Sequence, residues 1–347
     1  MKRILYIGTY TVRGSKGLYA CTADSETGAL APLDEPCLEE PVFNPTFAAV
    51  QGDWLYAVSE IGDNLPRPGA MVAFKRGPAG GLRFVKSIAC GRGSPCHVQV
   101  FDGGRRLAVS QYKTGELYVI GLDTAGLPTG MEAVFRTEGK GPVTGRQEGP
   151  HVHSACESPD GTTLFSADLG VDRIYRFAVS RKKVTPIDAL GCPPGSGPRH
   201  MVHSPDGRFL WAVGELDSTL MTFRNEVQTY RLVHHESLLP ADFKGESLAA
   251  EIRLHPNGRW LYATNRGADD VTVLAVQPDG SAAVLGRAAT GPYPRGMILS
   301  PDGRFLYAGS QHGDRIDWFA VDPLNGLLEK RGTLAGIPAP VGFAFGI

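Results

Sequence analysis

The sequence predicts an all-β fold, a seven-bladed propeller of four-stranded antiparallel blades. Three observations carry that expectation: a turn-and-strand phrase recurring every 45 to 57 residues, a composition suited to short strands, and chain ends that complete one another. The clearest copies of the phrase are SPDGRFLWA at 204–212 and SPDGRFLYA at 300–308. The same grammar holds at 158–166, 255–263, 101–109 and 51–57. In each copy Pro-Asp-Gly, Pro-Asn-Gly or a Gly/Asp pair stands where a tight turn must join two antiparallel strands, so each copy reads as a β-hairpin. Its shared leucine falls at Leu55, Leu107, Leu164, Leu210, Leu261 and Leu306, a spacing of four strands rather than of a helical repeat.

The seventh copy appears only when the ends are joined. Residues 340–347 resemble a first strand and residues 3–8 the strand after the turn, 46 residues on from Leu306 across the join. Closure of that kind leaves the ring without a free sheet edge and makes residues 1–347 one domain. With 44 glycines and 26 prolines, the chain suits strands broken by turns better than helices. Residues 61–70 and 138–150, rich in Gly, Pro and charge, read as loops over one face rather than as linkers.

Charge and cysteine usage exclude several classes of function. Thirty-five basic against thirty-six acidic residues give a formal charge of −1, so the chain as a whole has no electrostatic pull toward nucleic acid or an anionic membrane. Any anionic ligand must be held by a local cluster. Cys21, Cys37, Cys90, Cys96, Cys156 and Cys192 are scattered without a CxxC pair and read as reduced, buried thiols. The apolar stretch at the start is too short for a signal peptide and no later run reaches membrane-span length, so a cytoplasmic protein is expected.

The repeat also places side chains. Each innermost strand runs toward the Pro-Asp-Gly turn and the next strand runs back, so the start of one and the end of the other share a mouth of the central channel. Seven residues before the turn Asp position, which lies four before the repeated leucine, stand Asn44, Cys96, His153, Arg199, Ala250 and Arg295. Five after the repeated leucine stand Tyr10, Glu60, Tyr112, Leu169, Glu215, Arg266 and Gln311. These positions vary where the rest of the phrase repeats, which marks their mouth as the candidate site. Paired arginines such as Arg199 and Arg266 suit a carboxylate, a phosphate or a developing oxyanion. Glu215 is expected to act as the base that activates water, with His153 exchanging a proton or orienting substrate.

The chain resembles the lactonase family of seven-bladed propellers, through YIGTYT at the start, GPHVHSACESPDG (149–161), GPRHMVHSPDGRFLWAVGEL (197–216), LHPNGRWLYATNRGADDVTV (254–273) and GMILSPDGRFLYAGSQHGDRIDWFAVDPLNG (296–326). The resemblance covers essentially the whole chain. It implies hydrolysis of a sugar lactone, 6-phosphogluconolactone above all, a step of the pentose phosphate pathway. A muconate-lactonizing cycloisomerase is the second enzymatic expectation, and a propeller that only binds a ligand is the third. Motif by motif, the resemblance implies His153, Arg199, Glu215 and Arg266 as catalytic residues. Arg295, Glu60, Asn44, Gln311 and Tyr10 of the same mouth are expected to bind substrate, an anionic lactone or sugar acid, without metal or cofactor.

Other residues read more simply as structure. His151, His200, His203 and His255 suit hydrogen-bonded histidines of strands or turns. His151 and His153 form an HxH pair with no evident third metal ligand. Asp160, Asp206, Asn257 and Asp302 form turns, and Arg208, Arg259 and Arg304 are solvated charges. Adjacent in one strand, Cys96 and His97 must face opposite ways, which argues against a nucleophile–base pair.

Overall fold

A computed structural model describes residues 2–33, 37–38, 41–61, 68–77, 79–227 and 229–346. They form seven four-stranded antiparallel sheets, and among the described residues there is no helix. Six sheets are consecutive in sequence, and the seventh is shared by the chain ends: Pro340–Gly346 pairs with Lys2–Thr9, which continues into Leu18–Asp24 and Leu30–Pro32. Ile4 faces Gly346, Tyr6 faces Ala344 and Gly8 faces Gly342 in that closing ladder. The blades thus form a ring whose closure is one antiparallel pairing between residues at opposite ends of the chain.

The recurring phrase has a local cause. In the Ser204 turn, the Ser204 hydroxyl donates to Asp206 (2.6 Å) and accepts from the Phe209 amide (2.9 Å), while Asp206 accepts from the Arg208 amide (3.0 Å). Gly207 takes the left-handed backbone (φ 70°) that closes the turn. The Ser158 and Ser300 turns repeat the arrangement, which explains why Ser, Asp and Gly recur together.

In four of the blades the aromatic that follows the repeated leucine locks the blade to the next. Tyr56 donates to the Gly126 carbonyl (2.6 Å), Trp211 to Gly280 (2.9 Å), Tyr262 to Gly326 (3.0 Å) and Tyr307 to Gly28 (3.1 Å). Each acceptor glycine sits in the outer turn of the following blade with positive φ, and the aromatic two residues before the donor lies against it. A Cβ at Gly326 would stand 2.4 Å from the Trp260 ring, and one at Gly280 2.3 Å from Phe209. The repeated strands are therefore buried on both faces because each packs between two sheets.

Gly326→Ala is expected to cost about 2–4 kcal/mol in denaturant unfolding, from overpacking added to backbone strain. Gly52 also has positive φ (52°) but faces open space, so Gly52→Ala carries the strain alone, about 1 kcal/mol. Equal costs at the two positions would remove the case for the interblade lock.

Candidate functional site

At the mouth where the innermost strands begin, Glu60, Cys96, Tyr112, Arg146, His153, Glu215, Leu248, Arg266, Tyr293 and Arg295 enclose a cavity of about 270 Å³. The residues come from at least five blades and from the 138–150 loop, so the cavity exists only in the closed ring. Cavities of about 450 and 620 Å³ occur at the opposite mouth and on the outer side of one blade. Convergent charge rather than size singles out the smaller one.

Glu215 is the hub. Its Oε2 accepts from Arg199 Nε (2.8 Å) and forms an ion pair with Arg266 Nη2 (2.9 Å), and its Oε1 accepts from Arg146 Nη2. Burial opposes ionisation of this carboxyl, but the charges of Arg266, Arg199, Arg146 and Arg295 override it and hold the pKa far below the usual range. Arg199 is further fixed by donating to the Ala250 carbonyl (2.5 Å), and Arg266 by donating to Leu248 (3.2 Å) and Ala249 (3.1 Å). Arg199 is nearly inaccessible and lies beneath Glu215 rather than on the cavity wall. Arg266, at the end of Trp260–Arg266, does reach the wall, over the Tyr293 ring.

Arg295 differs from its neighbours. Its guanidinium rests 5.6 Å over the Tyr10 ring, and among the described residues it donates no side-chain hydrogen bond and forms no ion pair. It is a fork held in place with its donors uncommitted. Glu60 is occupied below it, accepting from Thr46 Oγ1 (2.6 Å) and from Tyr10 Oη (3.2 Å).

His153 lines the cavity with Nδ1 buried and unpartnered. Burial, and then the charges of Arg199, His200, Arg295 and Arg266, hold its pKa well below 6.5, so the ring is neutral at physiological pH. His151 lies outside the cavity, stacked on Tyr112 (4.4 Å) with Nδ1 at the Tyr112 carbonyl (2.7 Å). Among the described residues no three His, Cys, Asp or Glu side chains cluster as a metal site. Cys96 lines this cavity and His97 the opposite one, and burial pushes the Cys96 thiol far above its usual range, leaving no nucleophilic thiolate there.

Three of the residues expected to bind substrate lie outside the cavity lining. Asn44 is not on the cavity wall because its side chain is consumed elsewhere: Oδ1 accepts from the Thr11 amide and hydroxyl (2.7 Å each), and Nδ2 donates to the Glu60 carbonyl (2.9 Å). Gln311 is also off the wall, with Oε1 buried and unpartnered and its backbone braced by Tyr293 and Arg13. Tyr10 supports Arg295 and Glu60 from beneath rather than lining the cavity.

Arg146 was not singled out in the sequence, although its loop was. Gln147 anchors that loop by donating to the Leu169 carbonyl (2.7 Å) and to Asp172 (2.9 Å), which carries Arg146 over the mouth to Glu215. Of the loop expected at 61–70, residues 62–67 lie outside the described residues.

The chain belongs to the lactonase family of seven-bladed propellers: the profile described as "Lactonase, 7-bladed beta-propeller" matches residues 4–345. It is thus a lactone-hydrolysing enzyme by fold and family. It is 30% identical over 304 residues to the 6-phosphogluconolactonase of Bacillus subtilis, covering 86% of this chain and 85% of that protein. It is 35% identical over 250 residues to the 6-phosphogluconolactonase of Cronobacter sakazakii, covering 70% and 71%. The periplasmic gluconolactonase of Pseudomonas aeruginosa superposes with a TM-score of 0.91 at 28% identity, covering 99% of both chains.

Burial likewise lowers the pKa values of His97, His200 and His203, the last two to about 4. The unfolded chain takes up protons near pH 6.5 and the folded chain does not until lower pH, so acid favours unfolding. Melting temperature is expected to be level from about pH 7 to 8 and to fall steadily from about pH 6.5 toward pH 4. A flat profile across pH 7 to 5 in calorimetry would contradict these neutral buried rings.

Proposed function

We propose that the protein hydrolyses a phosphorylated sugar lactone, 6-phosphogluconolactone above all, releasing 6-phosphogluconate into the pentose phosphate pathway. The charge around the cavity is the observation that carries this reading. Four guanidiniums, Arg146, Arg199, Arg266 and Arg295, stand against two carboxylates, Glu60 and Glu215, leaving two positive charges around a space sized for one monosaccharide. A phosphate dianion balances them. The names of the relatives at about 30% identity support the same substrate. Phosphorylated sugars do not cross a cell membrane unaided because of their charge, so a cytoplasmic location goes with this proposed substrate.

In this reading Glu215 and His153 take roles other than those expected from the sequence. A carboxylate ion-paired with three guanidiniums is a poor proton acceptor, so Glu215 serves as the fixed counter-ion that aligns Arg266 and Arg146. Neutral His153 is the base. Water attacks the lactone carbonyl carbon and gives one proton to His153 Nε2, while Arg266, already rigid, stabilises the oxyanion. Collapse breaks the bond from the carbonyl carbon to the ring oxygen, and His153 returns the proton to that oxygen as it becomes a hydroxyl. Arg295, with donors to spare, takes the phosphate, and Arg146 closes over it from the loop.

In the 6-phosphogluconolactone assay, His153→Asn is expected to lower kcat about 10²- to 10⁴-fold with little change in KM. Arg295→Met should raise KM for the phosphorylated lactone by about tenfold or more while leaving glucono-δ-lactone nearly unaffected. Equal losses on both lactones would mean that Arg295 does not read the phosphate. Wild-type turnover of muconolactone but not of either sugar lactone would replace the proposed substrate class.

A further inference from the structure

The channel beneath the site holds a second cluster of buried titratable groups that the hydrolysis described above leaves unused. On the innermost strand Pro198–His203, Arg199 turns toward Glu215 and the next residue, His200, lines the cavity at the opposite mouth. There His200 Nδ1 lies 2.9 Å from Glu251 Oε1. A carboxylate only accepts, so Nδ1 carries the hydrogen and Nε2 the lone pair. Glu251 is itself held by the Ile252 amide (3.1 Å) and by Arg253 Nη2 (3.3 Å), which fixes the imidazole's orientation from behind.

Two unpartnered nitrogens then stand on neighbouring rings. His200 Nε2 and His153 Nδ1 are both buried with no hydrogen-bond partner, an uncommon state for polar atoms inside a protein. The ring centroids are 5.3 Å apart at 66°, a separation at which nitrogens aimed at each other come to about 3 Å. Their needs are complementary, a lone pair on His200 Nε2 and a hydrogen for His153 Nδ1. Turning a ring about its Cβ–Cγ bond would join them, giving the series Glu251, His200, His153 and the reacting water.

We infer that His200, oriented by Glu251, is a positioning residue that receives the Nδ1 hydrogen of His153 during hydrolysis, so that the base at one mouth is backed by a carboxylate at the other. This rests on His153 being the base. When water gives its proton to His153 Nε2, a full positive charge would otherwise sit beside Arg199, Arg266 and Arg295. Transfer of the Nδ1 hydrogen to His200 Nε2, with the His200 Nδ1 hydrogen shared toward Glu251, moves that charge next to a carboxylate. The transfers reverse when the ring oxygen of the lactone leaves and takes the proton back. No net proton is gained or lost by the chain of groups.

The groups facing this pair are consistent with such a role. His200 is surrounded by the His97 ring (5.3 Å), the edge of Phe47 (5.7 Å), Glu251, Arg253 and Arg199. His153 faces Tyr112 (5.7 Å), Arg199, Arg266 and Arg295. Glu251 is the carboxylate in direct contact with either ring, and Glu215 next to them is committed to three guanidiniums.

The test has one arm that needs no substrate. In the full-length protein carrying ¹⁵N-histidine, the His153 titration is followed in wild type, Glu251→Gln and His200→Phe. Glu251→Gln and His200→Phe should each shift it to lower pH and remove the protonated-Nδ1 signature of His153. A titration unchanged in both variants overturns the coupling. In the second arm, the 6-phosphogluconolactone assay, both variants should lose about 10- to 100-fold in kcat with KM within about twofold, and the acid limb of the kcat/KM profile should move down. In a His153→Asn background, His200→Phe should cause no further loss, and an equal further loss there assigns His200 a structural role and overturns the proposal. Should His200→Phe fail to fold, His200→Asn keeps the donor to Glu251 without an acceptor near His153 and is expected to give the same pattern. If wild type turns over no lactone, the lactonase reading fails while the first arm still decides the coupling.

Discussion

The pairing of Lys2–Thr9 with Pro340–Gly346 is the constraint from which the rest of the structure follows. Each blade buries both of its faces only because a neighbour stands on either side, and a row of blades left open would expose two sheet faces and two edges. Closing the row removes them together. It also fixes the diameter of the central channel, and with it the distance between side chains from blades far apart in sequence. Glu215 and Arg266 lie 51 residues apart, and Arg146 and Glu215 69 apart, yet all three share one carboxylate–guanidinium cluster.

That cluster shows how a protein holds several like charges in a small, poorly solvated space. Arginines gathered so closely would repel one another and resist burial, and Glu215 offsets both costs by pairing with three of them at once. Backbone carbonyls of Leu248, Ala249 and Ala250 accept the remaining donors. The carboxylate gains an environment so positive that it ceases to be a useful base. In the proposed mechanism the function left to it is geometric, and proton transfer falls to the neutral imidazole of His153. Arg295 completes the arrangement through its lack of commitments, since it stacks on Tyr10 and leaves its fork for a ligand.

Alternation along the innermost strands divides the channel into two chemistries. Cys96, His153 and Arg295 line one mouth, and their successors or neighbours His97, Ser154 and His200 line the other. One strand thereby supplies a residue to each cavity, and the rings of His153 and His200, one lining each cavity, lie 5.3 Å apart. Glu251 and Arg253 at the far mouth are therefore within reach of the near mouth through a single imidazole.

Much of this was legible because a propeller repeats. The Ser-Pro-Asp-Gly turn announces its own hydrogen bonds, and the aromatic after the repeated leucine has the same partner in four interfaces. Register therefore assigned His153, Arg266, Glu60, Glu215 and Arg295 to one mouth. Register gives the direction of a side chain but not its depth or its partners. Asn44 shares the register yet its side chain braces a loop, Gln311 is off the wall with its side-chain oxygen buried and unpartnered, and Arg199 is not on the wall either. Arg146 has no place in the repeat because it belongs to an irregular loop, whose path depends on Gln147 finding Leu169 and Asp172. The sequence by itself determined the number of blades, the closure by the chain ends and the mouth where charge converges, since each follows from short-range turn chemistry and strand periodicity. Only the tertiary structure decided which arginine is free, which carboxylate is neutralised and which histidine stays uncharged, because these depend on distances between blades that no local pattern encodes.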